Sequence, residues 1–360
     1  MSIKANEIPV HETTQPKARP RDEELGFGKV FTDHMLTVDW TPARGWHDAK
    51  IVPYGPLSMD PAAAVLHYGQ AMFEGLKAFR GADGKVRLFR LDRHCQRMAA
   101  GAPRLCLPSL TPEDMRETVI AAVRADQQWV PSSPGASLYI RPTIIATEAF
   151  LGVRPAEHVL YFIILSPVGA YYGGGNALAP VKIWVERELT RAARGGLGAV
   201  KAGANYAASL YAAQRAKKEG FAQVLWLDGK EHATIEEVGT MNLWVVIGDE
   251  LVTPPLSDSI LSGVTRDCIL TLARDWGMKA SERAISVDEV VRAHERGALT
   301  EVFGSGTAAV VSPVGELAVD GKRLVIHGNE PGPIAQRFHD EITGIQRGTR
   351  PDKHGWLTEV

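Results

Sequence analysis

Gly195-Gly196-Leu197-Gly198-Ala199-Val200-Lys201-Ala202-Gly203-Ala204-Asn205-Tyr206 is the most informative stretch of this 360-residue chain. A lysine flanked by small residues points into a space that its neighbours do not fill. Asn205 reads as a helix cap, and the spacing predicts a helix over 206–219 ended by Gly220. Desolvation in such a space lowers an amine's pKa and makes it nucleophilic, as a Schiff-base lysine requires. The other reading is a surface lysine in a glycine-rich loop, so the neighbouring segments must decide.

A pyridoxal phosphate enzyme needs the lysine, an acid at the pyridine nitrogen, a phosphate cup and a wall for the ring. After Lys201 a strand is predicted over 222–227, with Asp228-Gly229 as a type I′ hairpin turn and a return over 230–235. It delivers Ile235-Glu236-Glu237-Val238-Gly239-Thr240-Met241-Asn242, where a carboxylate can serve the ring nitrogen; a solvated hairpin acid is the alternative. Leu261-Ser262-Gly263-Val264-Thr265-Arg266 leads into a helix predicted over 266–276 and stopped at Gly277. Free N–H groups and the positive dipole end suit a phosphate, a plain turn being the alternative. Phe303-Gly304-Ser305-Gly306-Thr307-Ala308 adds small residues and hydroxyls. Its dinucleotide-type reading fails, because Pro313 cuts the helix it would open and no acid stands about 20 residues on. Arg97, on a helix predicted over 93–101, adds a charge-assisted donor.

The remaining chain sets the frame. Forty basic residues against 42 acidic ones leave no excess of positive charge, which argues against a nucleic-acid partner. Cys95, Cys106 and Cys268 form neither a metal spacing nor a disulfide framework, so no metal and a reducing, cytoplasmic compartment are expected. The longest apolar run, 159–165, is too short to cross a membrane and reads as a buried strand. Strands are also predicted over 30–40, 71–79, 85–90, around Gly81-Ala82-Asp83-Gly84, and 137–145, the last a neighbour of 158–165. A helix is predicted over 112–127, and a strand over 242–247 turned by Gly248-Asp249. Residues 1–26 read as a polar arm, partly disordered, 27–170 as an α/β domain, and 177–360 as a second domain carrying Lys201. Tyr171-Tyr172-Gly173-Gly174-Gly175-Asn176 (171–176) is the predicted linker, where a ligand cleft is expected.

Six segments in order resemble the branched-chain amino acid aminotransferases, members of the fold-type IV pyridoxal phosphate enzymes. They are Phe73-Glu74-Gly75-Leu76-Lys77, Tyr139-Ile140-Arg141-Pro142, Lys201 to Tyr206, Glu237 to Asn242, Gly263-Val264-Thr265-Arg266 and Gly304 to Ala308. The resemblance runs from about Phe27 to the C-terminus, and Val30-Phe31-Thr32-Asp33-His34-Met35 is similar to the longer, animal-type branch. It implies an α/β (α+β) two-domain fold: a smaller α/β N-terminal domain and a larger pseudo-barrel C-terminal domain. It also implies a homodimer and reversible amino transfer between L-leucine, L-isoleucine or L-valine and 2-oxoglutarate. Another fold-type IV enzyme, a D-amino acid aminotransferase or an aminodeoxychorismate lyase, is the nearest alternative. A non-enzymatic ligand-binding protein of the same fold is a remote one.

The resemblance also implies roles. Lys201 holds pyridoxal 5'-phosphate as a Schiff base and shuttles the Cα proton, Glu237 rather than Glu236 pairs with the ring nitrogen, and Tyr206 meets the ring hydroxyl. Arg97, Gly263, Val264, Thr265 and Thr307 hold the phosphate. Thr240 and the Ala308 N–H receive the substrate carboxylate. Tyr68, Phe73, Tyr139 and Tyr171 wall the side-chain pocket, and Arg141 meets the distal carboxylate of glutamate, a structural ion pair being its alternative. Leu151 and Val153 complete the partner subunit's site. Two departures stand out: Ala204 replaces a second glycine, and Ala309 and Ser312 occupy the positions of the mammalian redox-active cysteine pair.

Overall fold

In the computed structural model, which describes residues 3–169 and 178–360, β1 (His34–Thr41) and β2 (Gly45–Pro53) open the chain as an antiparallel hairpin. A short helix, α1 (Ala64–Tyr68), leads to β3 (Ala71–Phe73), β4 (Leu76–Arg80) and β5 (Val86–Phe89). The pattern predicts one strand over 71–79, but the strand breaks at Glu74 and Gly75. There Glu74 is drawn into the interior and the Tyr139 side chain crosses directly over Gly75. β4 and β5 meet across Gly81–Gly84 as expected, with Gly84 at φ +77°.

Next come α2 (Leu91–Gly101) and α3 (Pro112–Ala125). α3 begins on a Thr111 cap, whose hydroxyl accepts the Asp114 N–H at 3.0 Å, with Pro112 in the first turn. β6 (Ser137–Ala146) and β7 (Val159–Val168) pair antiparallel along their whole length. Along β7, Val159, Tyr161, Ile163 and Leu165 are buried while the residues between them are half-buried. That alternation marks a sheet strand with one face inward. The Tyr161 hydroxyl lies 3.2 Å from the Thr118 hydroxyl of α3, which seats the helix on the sheet. Among the described residues no helix is long and apolar enough to cross a membrane. The sheet order is Leu357–Glu359, β5, β4, β6, β7, β1, β2, with β3 also on β6.

These strands belong to the first of two units, Met1–Gly175, Val200–Gly203 and Gly344–Val360; the second is Asn176–Ala199 and Ala204–Thr343. The predicted linker 171–176 lies outside the described residues. Two features of the first unit differ from the pattern. The polar arm is laid along it rather than loose: Ile3 and Ile8 are buried, and the Ile3 and Lys17 N–H groups donate to Asp114 and Asp33 at 2.7 and 2.8 Å. The two isoleucines supply the apolar anchors. The segment carrying Lys201 also joins this unit, because Ala202 pairs with Met72 and the Phe73 N–H donates to the Lys201 carbonyl at 3.1 Å.

The second unit holds β8 (Val181–Val185), α4 (Gly203–Lys218, its first residue in the first unit), β9 (Gln223–Leu227), β10 (Ile235–Val238), β11 (Met241–Ile247) and β12 (Glu250–Thr253). It continues with α5 (Val264–Asp275), β13 (Lys279–Glu282), α6 (Val287–Glu295), β14 (Leu299–Gly306), β15 (Val310–Val319), β16 (Lys322–Val325) and α7 (Pro333–Gln346, its end from Gly344 in the first unit). The strands β8, β9, β10, β11, β14 and β15 pair in that order, and β15 returns parallel to β8. The ring is therefore closed, the expected pseudo-barrel, and closure leaves no open edge among these six strands. α4 packs Ala212 and Ala216 onto Phe221, Val224 and Trp226.

Two local expectations are corrected here. Asn205 lies inside α4, and its amide donates to the Leu197 carbonyl at 2.8 Å instead of capping the helix. Asp228-Gly229 is not a two-residue turn. The Asp228 carboxylate accepts the N–H groups of Lys230, Glu231, Ala233 and Thr234, so one side chain organises a longer loop and β10 starts only at Ile235.

Candidate active site

In the first unit the Lys201 amine lies 4.8 Å from the centre of the Phe73 ring. Burial and the nearby Arg97 lower its pKa to about 8, with Arg141 adding to the fall and Glu74 and Tyr139 opposing it. The neutral, nucleophilic amine thus forms near pH 8, where an ordinary lysine is still charged.

Arg97 is gripped by a residue that pattern reading passed over. Its Nε and Nη2 donate to the two oxygens of Glu74 at 2.6 and 2.9 Å. His94 Nδ1 lies 2.8 Å from the same carboxylate. Burial pushes the Glu74 pKa up, but Arg97 and His94 outweigh it and hold the carboxyl ionised. Burial likewise lowers the His94 pKa, so the ring is neutral near pH 7. The available signals are an acid inside the apolar run 71–79 and a His94–Arg97 pair three residues apart on one helix face.

Arg141 lies over the Phe73 ring at 4.5 Å and the Tyr139 ring at 5.2 Å, and its Nη2 donates to the Tyr139 hydroxyl at 3.1 Å. The buried Arg141 Nε has no hydrogen-bond partner among the described residues. A Cβ on Gly75 would stand 2.0 Å from the Tyr139 hydroxyl oxygen. Gly75→Ala is therefore expected to displace Tyr139 and cost about 1–3 kcal/mol, read as a lower denaturant midpoint; an unchanged midpoint contradicts the contact. Tyr68 donates to the Leu151 carbonyl, and beyond it Leu151 and Val153 are 65% and 87% exposed. Tyr171 lies outside the described residues.

The second unit brings together its own set. Glu237 is buried on β10, facing Asn242 across the pairing with β11. It accepts from the Asn242 amide at 3.2 Å and the Leu261 N–H at 3.1 Å, and it pairs with Arg191 Nε at 2.8 Å. Arg191 is a second residue not singled out from the pattern; it also donates to the Ser259 carbonyl. Glu236, the next residue, is half-buried, accepts from the Ser259 hydroxyl, and has its pKa raised by burial.

The Leu261 turn carries Glu237 to the start of α5. A Cβ on Gly263 would meet Asn242 Oδ1 at 1.8 Å, so only glycine allows this approach. Val264 and Thr265 are the first residues of α5, and first-turn N–H groups have no intrahelical acceptor. At the β10–β11 turn Thr240 is exposed, and Gly306 lies against Met241 beside it. Thr307 and Ala308, both half-buried, form the turn from β14 to β15. Tyr206 is half-buried in the first turns of α4.

Residues 71–317 match the amino-transferase class IV family. Branched-chain-amino-acid aminotransferase 2 of Bacillus subtilis is 51% identical over 353 residues, covering 98% of this chain and 97% of its own length. Among solved structures, the Escherichia coli branched-chain amino acid aminotransferase is similar at a TM-score of 0.76 and 29% identity, over 90% of this chain and 98% of that one. A second solved branched-chain amino acid aminotransferase, complexed with N-(5'-phosphopyridoxyl)-L-glutamate, is similar at a TM-score of 0.71 and 26% identity, over 89% and 97%.

Proposed function

The chain belongs to the class IV aminotransferases, among their branched-chain-amino-acid members, and from that membership we propose that it reversibly transfers the amino group of L-leucine, L-isoleucine or L-valine to 2-oxoglutarate. The products are the branched-chain 2-oxo acids and L-glutamate, and the cofactor is pyridoxal 5'-phosphate. The observation that carries the reading is the Lys201 amine, with its pKa lowered to about 8 beside Phe73 and Arg97. The ligand of the second solved relative, a phosphopyridoxyl group joined to glutamate, supports both the cofactor and the acceptor.

The residues present fit this group. A nucleophilic amine, a buried carboxylate and a helix start with first-turn N–H groups match its aldehyde, its ring nitrogen and its phosphate. When bound, it supplies an electron sink for charge developing at the donor's Cα. Lys201 would hold the aldehyde carbon and, once released, take and return the Cα proton. Glu237, paired with Arg191, would hold the ring nitrogen protonated, and Tyr206 would meet the ring hydroxyl. Arg97, Gly263, Val264, Thr265 and Thr307 would bind the phosphate. Thr240 and the Ala308 N–H would take the substrate carboxylate. Tyr68, Phe73, Tyr139 and Tyr171 would wall the side-chain pocket, where aromatic faces suit leucine. The Arg141 Nε, without a hydrogen-bond partner among the described residues, suits the distal carboxylate of glutamate.

A homodimer acting on small molecules in the cytoplasm completes the reading. Exposed Phe150, Leu151 and Val153 form the apolar loop that would enter the partner's site. Lys201→Ala and Leu151→Asp/Val153→Asp subunits, each inactive alone, are expected to regain activity on mixing, since a mixed dimer pairs an intact Lys201 with an intact loop. A double-aspartate protein that is active alone would remove the shared-site claim. The activity itself is tested by a donor panel with 2-oxoglutarate, read as glutamate. L-Leucine, L-isoleucine and L-valine are expected to serve, whereas a preference for D-alanine would indicate a D-amino acid aminotransferase instead.

A further inference from the structure

Glu74 has no part in the chemistry above, yet it is 0% exposed and saturated with donors. Besides the two bonds from Arg97 and the contact with His94, its carboxylate receives the Gly75 N–H at 3.1 Å. It directly follows Phe73, whose N–H is bonded to the Lys201 carbonyl. A buried ion pair is a poor source of stability, because desolvation offsets most of its attraction. Its place beside Lys201 calls for another explanation.

We propose that Glu74 is a positioning residue for Lys201 and Arg97: one buried carboxylate locks the Arg97 guanidinium through two of its nitrogens and balances its charge beside the Lys201 amine. The inference rests on the reading that Lys201 and Arg97 hold the cofactor. The charged and titratable groups that act most on Lys201 are Arg97 from α2, Glu74 from the β3–β4 break, and Tyr139 and Arg141 from β6, and His94 from α2 is coupled to it as well. The two arginines favour the neutral amine and the two acids favour the charged one. His94, kept neutral by burial, steadies the carboxylate without adding a further cation.

The test uses cofactor-free protein labelled with trinitrobenzenesulfonate across a pH series, with modification of Lys201 read by peptide mass spectrometry. Glu74→Gln keeps the size of the side chain and one acceptor but removes the charge. Its Lys201 midpoint is expected to fall by about one pH unit, while Arg97→Met raises it. Glu74→Asp, which keeps the charge, is expected to stay near the wild-type midpoint. Mere loosening of the fold would expose the amine and raise the midpoint in every variant. A rise or no change in Glu74→Gln therefore overturns the proposal. If Glu74→Gln does not fold, Arg97→Met/Glu74→Gln carries the test. With both charges gone, its midpoint must lie below that of Arg97→Met, and equal midpoints overturn the proposal. The labelling needs neither cofactor nor turnover. Failure of the donor panel would remove the functional reading and leave this outcome standing.

Discussion

Lys201→Ala is expected to lower amino transfer by about a thousandfold or more, because the nucleophile and the proton carrier disappear together. Borohydride should no longer fix a phosphopyridoxyl group to the variant. If it still does, another lysine holds the cofactor. A second consequence concerns stability. The Lys201 pKa is about 8 in the fold, lowered first by burial and then by Arg97, against 10.5 for a free lysine. Between those values the unfolded chain binds a proton that the folded chain lacks, so this residue makes stability rise with pH across the window. Its penalty is fully present below about pH 8 and is relieved as pH approaches 10.5. Cofactor-free Lys201→Ala should therefore gain over wild type at pH 7 and lose that advantage towards pH 10, as read from denaturant midpoints at both pH values. A difference that does not change with pH contradicts the lowered pKa.

Glu237→Gln is expected to retain cofactor but slow turnover on the order of a hundredfold, because an amide cannot hold the ring nitrogen protonated. The same change leaves the buried Arg191 charge uncompensated, at a cost of about 3 kcal/mol. Glu236→Gln is the control. Its partner is the Ser259 hydroxyl and its side chain is half-buried, so both effects should be small. Single-turnover rates with L-leucine and thermal unfolding separate the two. Near-normal turnover in Glu237→Gln together with an impaired Glu236→Gln would transfer the role to Glu236.

What the sequence made legible follows a physical division. Lys201 became legible only through the segments that follow it, because a lysine in a glycine-rich loop is by itself readily a surface residue. The closed ring of the second unit was reached through motif order, since its closure rests on β15 pairing with β8 from more than 120 residues earlier in the chain, which periodicity does not resolve. The turns at Gly81–Gly84 and Gly248-Asp249 were readable because they are local. Asp228 misled because its side chain can imitate backbone acceptors and so supports a longer loop than Asp-Gly suggests. Asn205 misled because a cap residue is equally able to bond outward from within a helix. Glu74 and Arg191 stayed hidden for another reason: their partners, Arg97 and Glu237, lie far along the chain, and only the folded sheet brings each pair together.

The most direct test of the central claim is a half-reaction on cofactor-loaded protein, with no 2-oxo acid present, followed by absorbance and product analysis. L-Leucine is predicted to discharge the cofactor band and release its 2-oxo acid in stoichiometric amount, and 2-oxoglutarate should then restore the band and yield glutamate. A band that L-leucine leaves untouched, or that D-alanine discharges in its place, would contradict the assignment.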